Sequence, residues 1–441
     1  MDELIQEPRH FCALGGQQTV IGIERAIPIV HAGPGCCAKI TQGMSGGGGN
    51  QGTGYAGGDA IPCSNMVEAD IVFGGEEKLR TLIESAFKIM DGDFFVVLTG
   101  CTSDLIADDV MSVVKDFRDE GAPIVCAETG GFLGDAYFGH ERVLESIIEQ
   151  YLEPKAEVER GLVNVFASVP GHDIFWEGDL QEIKKLLKLL GFEANILFGR
   201  DSGGKAAIDR IPAAEFNLVA SPHVGLDAVK LLERKFGTPY LHIPSIPIGP
   251  TATGEFLRAA AAFGGHATAQ IERMADEIES EFYNYLLRAG DFLNESRFDL
   301  PKRFYNINDS NSALAFSKFL VSDLGFLPAH QFVTEKVPEM YIQDVASYFE
   351  NLAPGISSPV TFSQDGEVIH RTIRSNLYKV PSLVLGSTWD IEIANEIGAS
   401  FLTVGLPAND RLILDRSYVG CHGSLALVED IYSRILTKAR S

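Results

Sequence analysis

The stretch Phe94-Phe-Val-Val-Leu-Thr-Gly-Cys101 limits the fold more than any other part of the chain. Residues 94–99 read as a buried strand, because apolar strand formers follow one another without alternation. Gly100-Cys101 ends the run. Ile106, Val110, Val113, Val114 and Phe117 then repeat with helical spacing. Ser103 is the expected N-cap of that helix, with Asp104 just inside. Residues 122–126 form the next apolar strand. Strand, helix and strand in this order make a βαβ unit and therefore a parallel sheet. Residues 27–31 fit the same scheme. That strand runs into Gly33-Pro-Gly35 and then Cys36-Cys37. Thiols at such strand ends sit where open α/β sheets bind ligands.

The rhythm continues to the end of the chain. A short helix is expected at 20–26. Another opens at Gly74-Gly-Glu-Glu77, with Leu79, Leu82, Ile83, Phe87 and Ile89 on one face. Strands follow at 162–169, 194–198, 216–221 and 240–243, with helices at 179–190, 225–236 and 255–263. An acidic helical stretch at 269–293 reads as a connector. Strands at 304–307, 328–332, 360–363, 382–385 and 401–404 precede a last helix at 425–437. The fold class is α/β, with three doubly wound, Rossmann-like domains and mostly parallel sheets. Their limits are 1–160, 161–298 and 299–441, since 441 residues exceed what one core serves. The glycine-rich stretch 45–58 cannot carry a packed core and reads as a loop.

Composition narrows the partners. The net charge is −24 with no basic block, which argues against nucleic acid and anionic membranes. No run of about 18 apolar residues is present, so no membrane-spanning helix is expected. The acidic start lacks a signal-peptide pattern, and a cytoplasmic location is expected. Six of the seven cysteines lie in the first 126 residues, a crowding that points to metal or cluster ligation rather than a disulfide framework. Cys12, Cys36 and Cys101 each lie beside or just before a glycine. No C-x-x-C pair, P-loop, G-x-S-x-G elbow or H-E-x-x-H motif occurs. Three cysteines of one chain would leave a cubane cluster short of a ligand, but two chains could each supply three. Cys63, Cys126 and Cys421 read as ordinary buried thiols. His31 reads as a core histidine in preference to a donor near the thiols, and His422 as a structural residue opening the last helix.

Taken together and in order, several motifs carry a resemblance over nearly the whole chain. They are Cys12 followed by Ala-Leu-Gly-Gly; Val30-His-Ala-Gly-Pro-Gly-Cys36; Asp70-Ile-Val-Phe-Gly-Gly75; Leu98-Thr-Gly-Cys-Thr-Ser-Asp-Leu-Ile-Ala-Asp-Asp109; and Thr129-Gly-Gly-Phe132. Val404-Gly-Leu-Pro-Ala-Asn-Asp-Arg411 and Arg416-Ser-Tyr-Val-Gly420 complete the set. The chain resembles the component 1 family of nitrogenases and nitrogenase-like reductases.

The resemblance implies an α2β2 heterotetramer of homologous subunits. Three cysteines from each subunit hold an iron–sulfur cluster at the α/β seam, either a P-cluster of the 8Fe–7S type or a 4Fe–4S cubane. An ATP-dependent iron protein supplies electrons. The matching ligand positions here are Cys12, Cys36 and Cys101, with Cys37 a bystander beside Cys36. In the α subunit a cysteine and a histidine hold the substrate cofactor. This chain has Ser221 in Asn217-Leu-Val-Ala-Ser-Pro-His223 and no histidine near Ile413. It therefore resembles the β-type subunit, with no catalytic residue of its own. Tyr240-Leu-His-Ile-Pro-Ser-Ile-Pro-Ile-Gly249 also looks β-like. Gly131 stands where nitrogenase β chains have a serine able to ligate the oxidised cluster. The glycine insertion and short N-terminus also depart from the molybdenum pattern. These departures turn the expectation toward a nitrogenase-like reductase, with methylthio-alkanes as the first substrate and dinitrogen as the second. A cofactor-assembly scaffold and a tetrapyrrole reductase are the alternatives.

Overall fold

The computed structural model describes residues 5–50, 61–155, 157–266, 268–296, 300–378 and 382–438. Three sheets organise these residues. In the first, β1 (Ala26–His31), β2 (Phe94–Thr99) and β3 (Ile124–Ala127) lie side by side in that order. They are parallel, with Val30 opposite Leu98 and Val97 opposite Cys126. Every residue of the three strands is buried. The missing alternation in the sequence has a direct cause, because both faces are covered. Ile27, Ile29, Phe95 and Val97 pack with Leu79, Ile83, Val113 and Phe117 on one side. Val30, Phe94, Val96 and Leu98 join the large core on the other.

Seven helices accompany this sheet: α1 (Gly16–Gly22), α2 (Cys36–Gly47), α3 (Glu68–Phe73), α4 (Glu76–Ile89), α5 (Cys101–Leu105), α6 (Val110–Asp119) and α7 (Ala136–Gln150). The expected helix at 20–26 is instead α1, four residues earlier. Ile23 is extended and Arg25 has φ 59°, so no helix can run into β1. Its early start rests on close packing, since a Cβ on Gly16 would meet the Gly139 carbonyl oxygen of α7 at 2.6 Å. The expected helix from 106 to 117 is also divided. Ala107 at φ 56° separates α5 from α6. Asp109, not Ser103, caps α6 by accepting the Ser112 N–H.

The second sheet runs β5-β4-β6-β7, from β4 (Glu159–Phe166), β5 (Glu193–Asn195), β6 (Ala214–Ala220) and β7 (Tyr240–Ile243). The third runs β10-β9-β8-β11-β12, from β8 (Arg303–Asn308), β9 (Leu327–Val333), β10 (Val360–Phe362), β11 (Ser382–Gly386) and β12 (Ser400–Thr403). Every pairing between these strands is parallel. In the second and third sheets the chain builds outward on one side of the first strand and then crosses to the other, as a doubly wound fold does; among the described residues the first sheet extends on one side only. The 269–293 connector is two helices, Ala269–Leu287 and Gly290–Glu295. The final helix starts at Gly420, five residues before the expected start. Of the glycine-rich stretch, residues 45–47 finish α2, and residues 51–60 lie outside the described residues. Among the described residues no helix is long and apolar enough to cross a membrane.

Candidate metal centre

Three separate devices deliver three thiols. Cys36 opens α2, directly after the turn that leaves β1. Cys101 opens α5, directly after β2. Gly100 between them is required by crowding, because a Cβ there would run into the Ala32 side chain. The Gly100 N–H donates to the His31 carbonyl at 3.0 Å, and the Ser103 hydroxyl donates to the same oxygen at 2.9 Å. Ser103 therefore fastens the β1 and β2 ends instead of capping α6. Cys12 arrives on an N-terminal strap. It pairs with Asp135 in an isolated bridge, flanked by Ala13 N–H to Gly134 O and Ala136 N–H to Phe11 O, both at 2.9 Å.

Cys12 and Cys101 meet at Gly131. Its N–H donates to Cys101 Sγ at 3.1 Å. A Cβ on Gly131 would stand 3.0 Å from Cys101 Sγ and 3.2 Å from Cys12 Sγ. The glycine thus leaves a hollow between two of the sulfurs. Burial pushes the Cys12 thiol up, and the Cys101 sulfur adds to the effect. Burial also pushes Cys36 up, with Cys12 and Cys101 both contributing. All three sulfurs thus feel one another electrostatically.

Exposure separates these thiols from the rest. Cys12, Cys36 and Cys101 are exposed; Cys37 and Cys126 are buried; Cys63 and Cys421 are half-buried. Large apolar side chains stand exposed on α3, on α5 and next to Gly131. Phe73 on α3 is 86% exposed, Leu105 on α5 is 74% exposed, and Phe132 beside Gly131 is 56% exposed. Helix α3 buries none of its residues. Exposed apolar side chains of this size are a common mark of surfaces that other molecules cover. Among the described residues, no three His, Cys, Asp or Glu side chains close around a single metal ion. The donor set is thiol only, with two of the sulfurs bordering one hollow. It fits a many-atom iron–sulfur group completed by a second chain better than a lone zinc or iron.

His31 is fully buried, and its Nε2 bonds Asp108 at 3.0 Å. Burial lowers its pKa against the pull of that carboxylate. Asp108 also accepts the Gly75 N–H, so the pair ties β1 to the start of α4. His31 is thus a core histidine that also supports the loop under the thiols. Cys63 is more than an isolated buried thiol. Residues 61–66 run beside β1, and the Cys37 thiol donates to the Cys63 sulfur, which with other contacts lowers the Cys63 pKa to about 6. Cys126 is buried as expected, and burial pushes it up to about 12. The half-buried Cys421 approaches the Ile278 carbonyl, and His422 is exposed on the first turn of the last helix. Ser221 and Ile413 lie in the closed interior, 0% and 2% exposed.

Sequence reasoning missed how Cys12 is held. The strap before it lies on the third sheet. Gln6 and Glu7 donate their N–H groups to the Asp365 carboxylate. Arg9 is buried and pairs with Asp390 at 2.9 Å, with Ser387 Oγ at 3.1 Å from its other terminal nitrogen. His10 Nε2 bonds Thr334 Oγ1 at 2.9 Å.

The family description "Nitrogenase component 1 type Oxidoreductase" matches residues 12–436. The chain belongs to this family.

Among its relatives is the nitrogenase molybdenum-iron protein beta chain of Methanococcus maripaludis, 25% identical over 96% of this chain and 93% of that one. The corresponding beta chain of Clostridium pasteurianum is 24% identical over 96% and 92%. A light-independent protochlorophyllide reductase chain of Angiopteris evecta is 22% identical over 82% of this chain and 70% of its own length. The solved structure titled "Nitrogenase Cp1 at pH 6.5" superposes with a TM-score of 0.81 at 21% identity, covering 100% of this chain and 95% of that one. At that identity the likeness establishes the shared fold. The family match makes the protein an oxidoreductase component.

Proposed function

We propose that this chain is the β-type subunit of a nitrogenase-like reductase. In this reading Cys12, Cys36 and Cys101 hold one half of an iron–sulfur cluster at the seam with a homologous α-type subunit, within an α2β2 heterotetramer. The observation that carries the reading is the hollow at Gly131. The exposed thiols of Cys12 and Cys101 border it, and the exposed Cys36 thiol, from a third part of the fold, feels both of them electrostatically.

When bound, such a group supplies one-electron redox chemistry, here fed by an ATP-dependent iron protein. The chain's own residues do the rest. The thiols bind as thiolates, so loading releases protons, and burial of Cys12 and Cys36 resists that ionisation until metal compensates it. The Gly131 N–H rests on Cys101 Sγ and withdraws charge from that ligand. Having no side chain, Gly131 offers no oxygen ligand. Phe73, Leu105 and Phe132 exclude water once the partner covers them. Substrate is reduced in the α-type subunit. We assign methylthio-alkanes, with cleavage of the carbon–sulfur bond, ahead of dinitrogen. The absent serine and the glycine-rich insertion support that order.

The test is co-purification with the α-type partner, iron analysis and electron paramagnetic resonance of the reduced and oxidised complex. Cys101→Ala is expected to lose most of the cluster iron and all electron transfer. Full iron and full activity in that variant would refute the assignment. Turnover with iron protein and ATP, offered a methylthio-alkane, dinitrogen or protochlorophyllide, identifies the substrate. An assembly scaffold would turn over none of them.

A further inference from the structure

A second site lies away from the thiols, between the layers of the second and third sheets. The helix Pro250–Phe263, the helix Ser310–Ser322 and the turn at 350–357 surround a cavity of about 610 Å³ that opens to solvent. That volume is in the usual range for small-molecule sites, about 300–1,000 Å³. The cavity shares no residue with the thiol site.

Its wall combines two characters. Phe319 and Leu352 present a buried apolar surface, with Ile248 beside them. Lys318 breaks that surface. Its helix buries ten of its thirteen residues, and Lys318 is the only charged one. Among the described residues its ammonium makes no hydrogen bond or ion pair. Burial lowers its pKa, and the one group that raises it is Glu255, on the facing helix. Asp323 is not its counter-ion, because that carboxylate is already held by the Thr251 hydroxyl at 2.6 Å and the Tyr283 hydroxyl at 3.0 Å. Ser322 lies one turn from Lys318 on the same helix face.

A half-buried ammonium with no partner is costly unless a negative group joins it. A simple anion is a poor occupant, because Glu255 and Glu350 also line the cavity. We propose that the cavity binds a small zwitterion with an apolar side chain, in its simplest form an α-amino acid. The carboxylate meets Lys318, the ammonium meets Glu255, and the side chain lies against Phe319 and Leu352. This assignment is independent of any cluster on the thiols.

Calorimetric titration of the purified full chain tests it. L-Leucine is the probe, compared with isocaproate, which lacks the amine, and isopentylamine, which lacks the carboxylate. Leucine is expected to bind with Kd below about 1 mM, and each analogue about tenfold more weakly or worse. Lys318→Met and Glu255→Gln each weaken leucine binding about tenfold, while Lys318→Arg retains most of it. Ala252→Trp, which fills the cavity without touching a charge, abolishes binding. Unchanged thermal melting shows that the variants fold. No binding at about 10 mM leucine, isocaproate binding as tightly as leucine, or undiminished binding in Lys318→Met overturns the proposal.

Discussion

Arg9→Met tests whether the strap that carries Cys12 is held by charge. In the folded protein Arg9 and Asp390 are 4% and 0% exposed and lie 2.9 Å apart. His370 Nε2 is 2.8 Å from the same Asp390 oxygen, and Ser387 donates to the other. Burial alone would raise the Asp390 pKa, but Arg9 and then His370 outweigh it and hold it below its ordinary value of 3.8. Methionine fills similar volume without charge and leaves a carboxylate in the interior with one ionic partner fewer. Breaking a buried pair in this way costs roughly 3–5 kcal/mol. Against a typical stability of about 5–15 kcal/mol the loss is large. The pH dependence has a definite sign. A depressed acid pKa contributes stability above the unfolded value and loses it as the pH falls through the folded one. Urea unfolding is therefore expected to show a wide gap between wild type and variant at pH 7, narrowing below pH about 3.8. Adding Asp390→Asn removes the stranded charge and recovers most of the loss. Hydrogen exchange supplies the local readout. The Ala13 amide, bonded to Gly134 O beside Cys12, exchanges faster in Arg9→Met. A loss under about 1 kcal/mol at pH 7, or a double variant weaker than the single one, refutes the reasoning.

Gly131→Ala places a methyl group 3.0 Å from Cys101 Sγ. It is expected to lower the iron retained per complex while leaving the melting temperature of the metal-free chain nearly unchanged. Asp109→Ala removes the cap on α6 and is expected to cost about 1 kcal/mol in denaturant unfolding. Burial raises the Asp179 pKa to about 7. A raised acid pKa means stability that is present at low pH and lost as the pH rises through the folded value. Asp179→Asn is therefore expected to raise the melting temperature at pH 8 and change it little at pH 4.

The sequence displayed local chemistry well and distant contacts poorly. β2 was legible because a strand covered on both faces must be apolar throughout. α6 was misjudged at its start because Ile106 keeps helical spacing while Ala107 turns left-handed and Asp109 takes the cap. α1 begins early because two glycines of α1 and α7 let backbones touch, a fact of packing with no local signal. The three thiols stood out in the sequence through glycine neighbours and motif order. The Cys37–Cys63 contact was not, because residues 61–66 return to β1 only after the glycine-rich stretch. Arg9 gave no hint of its role, since Ser387 is 378 positions away.

That distance also sets an order of events. Cys12 precedes all three sheets in the chain, yet the strap that positions it rests on Asp365, Ser387 and Asp390. Cys36 and Cys101 depend on contacts within the first sheet and can take their places while synthesis continues. Cys12 must wait until the third sheet has left the ribosome and folded. The complete set of thiols is therefore expected only once the third sheet has formed, and a product that stops before Asp365 leaves the strap before Cys12 without its anchors.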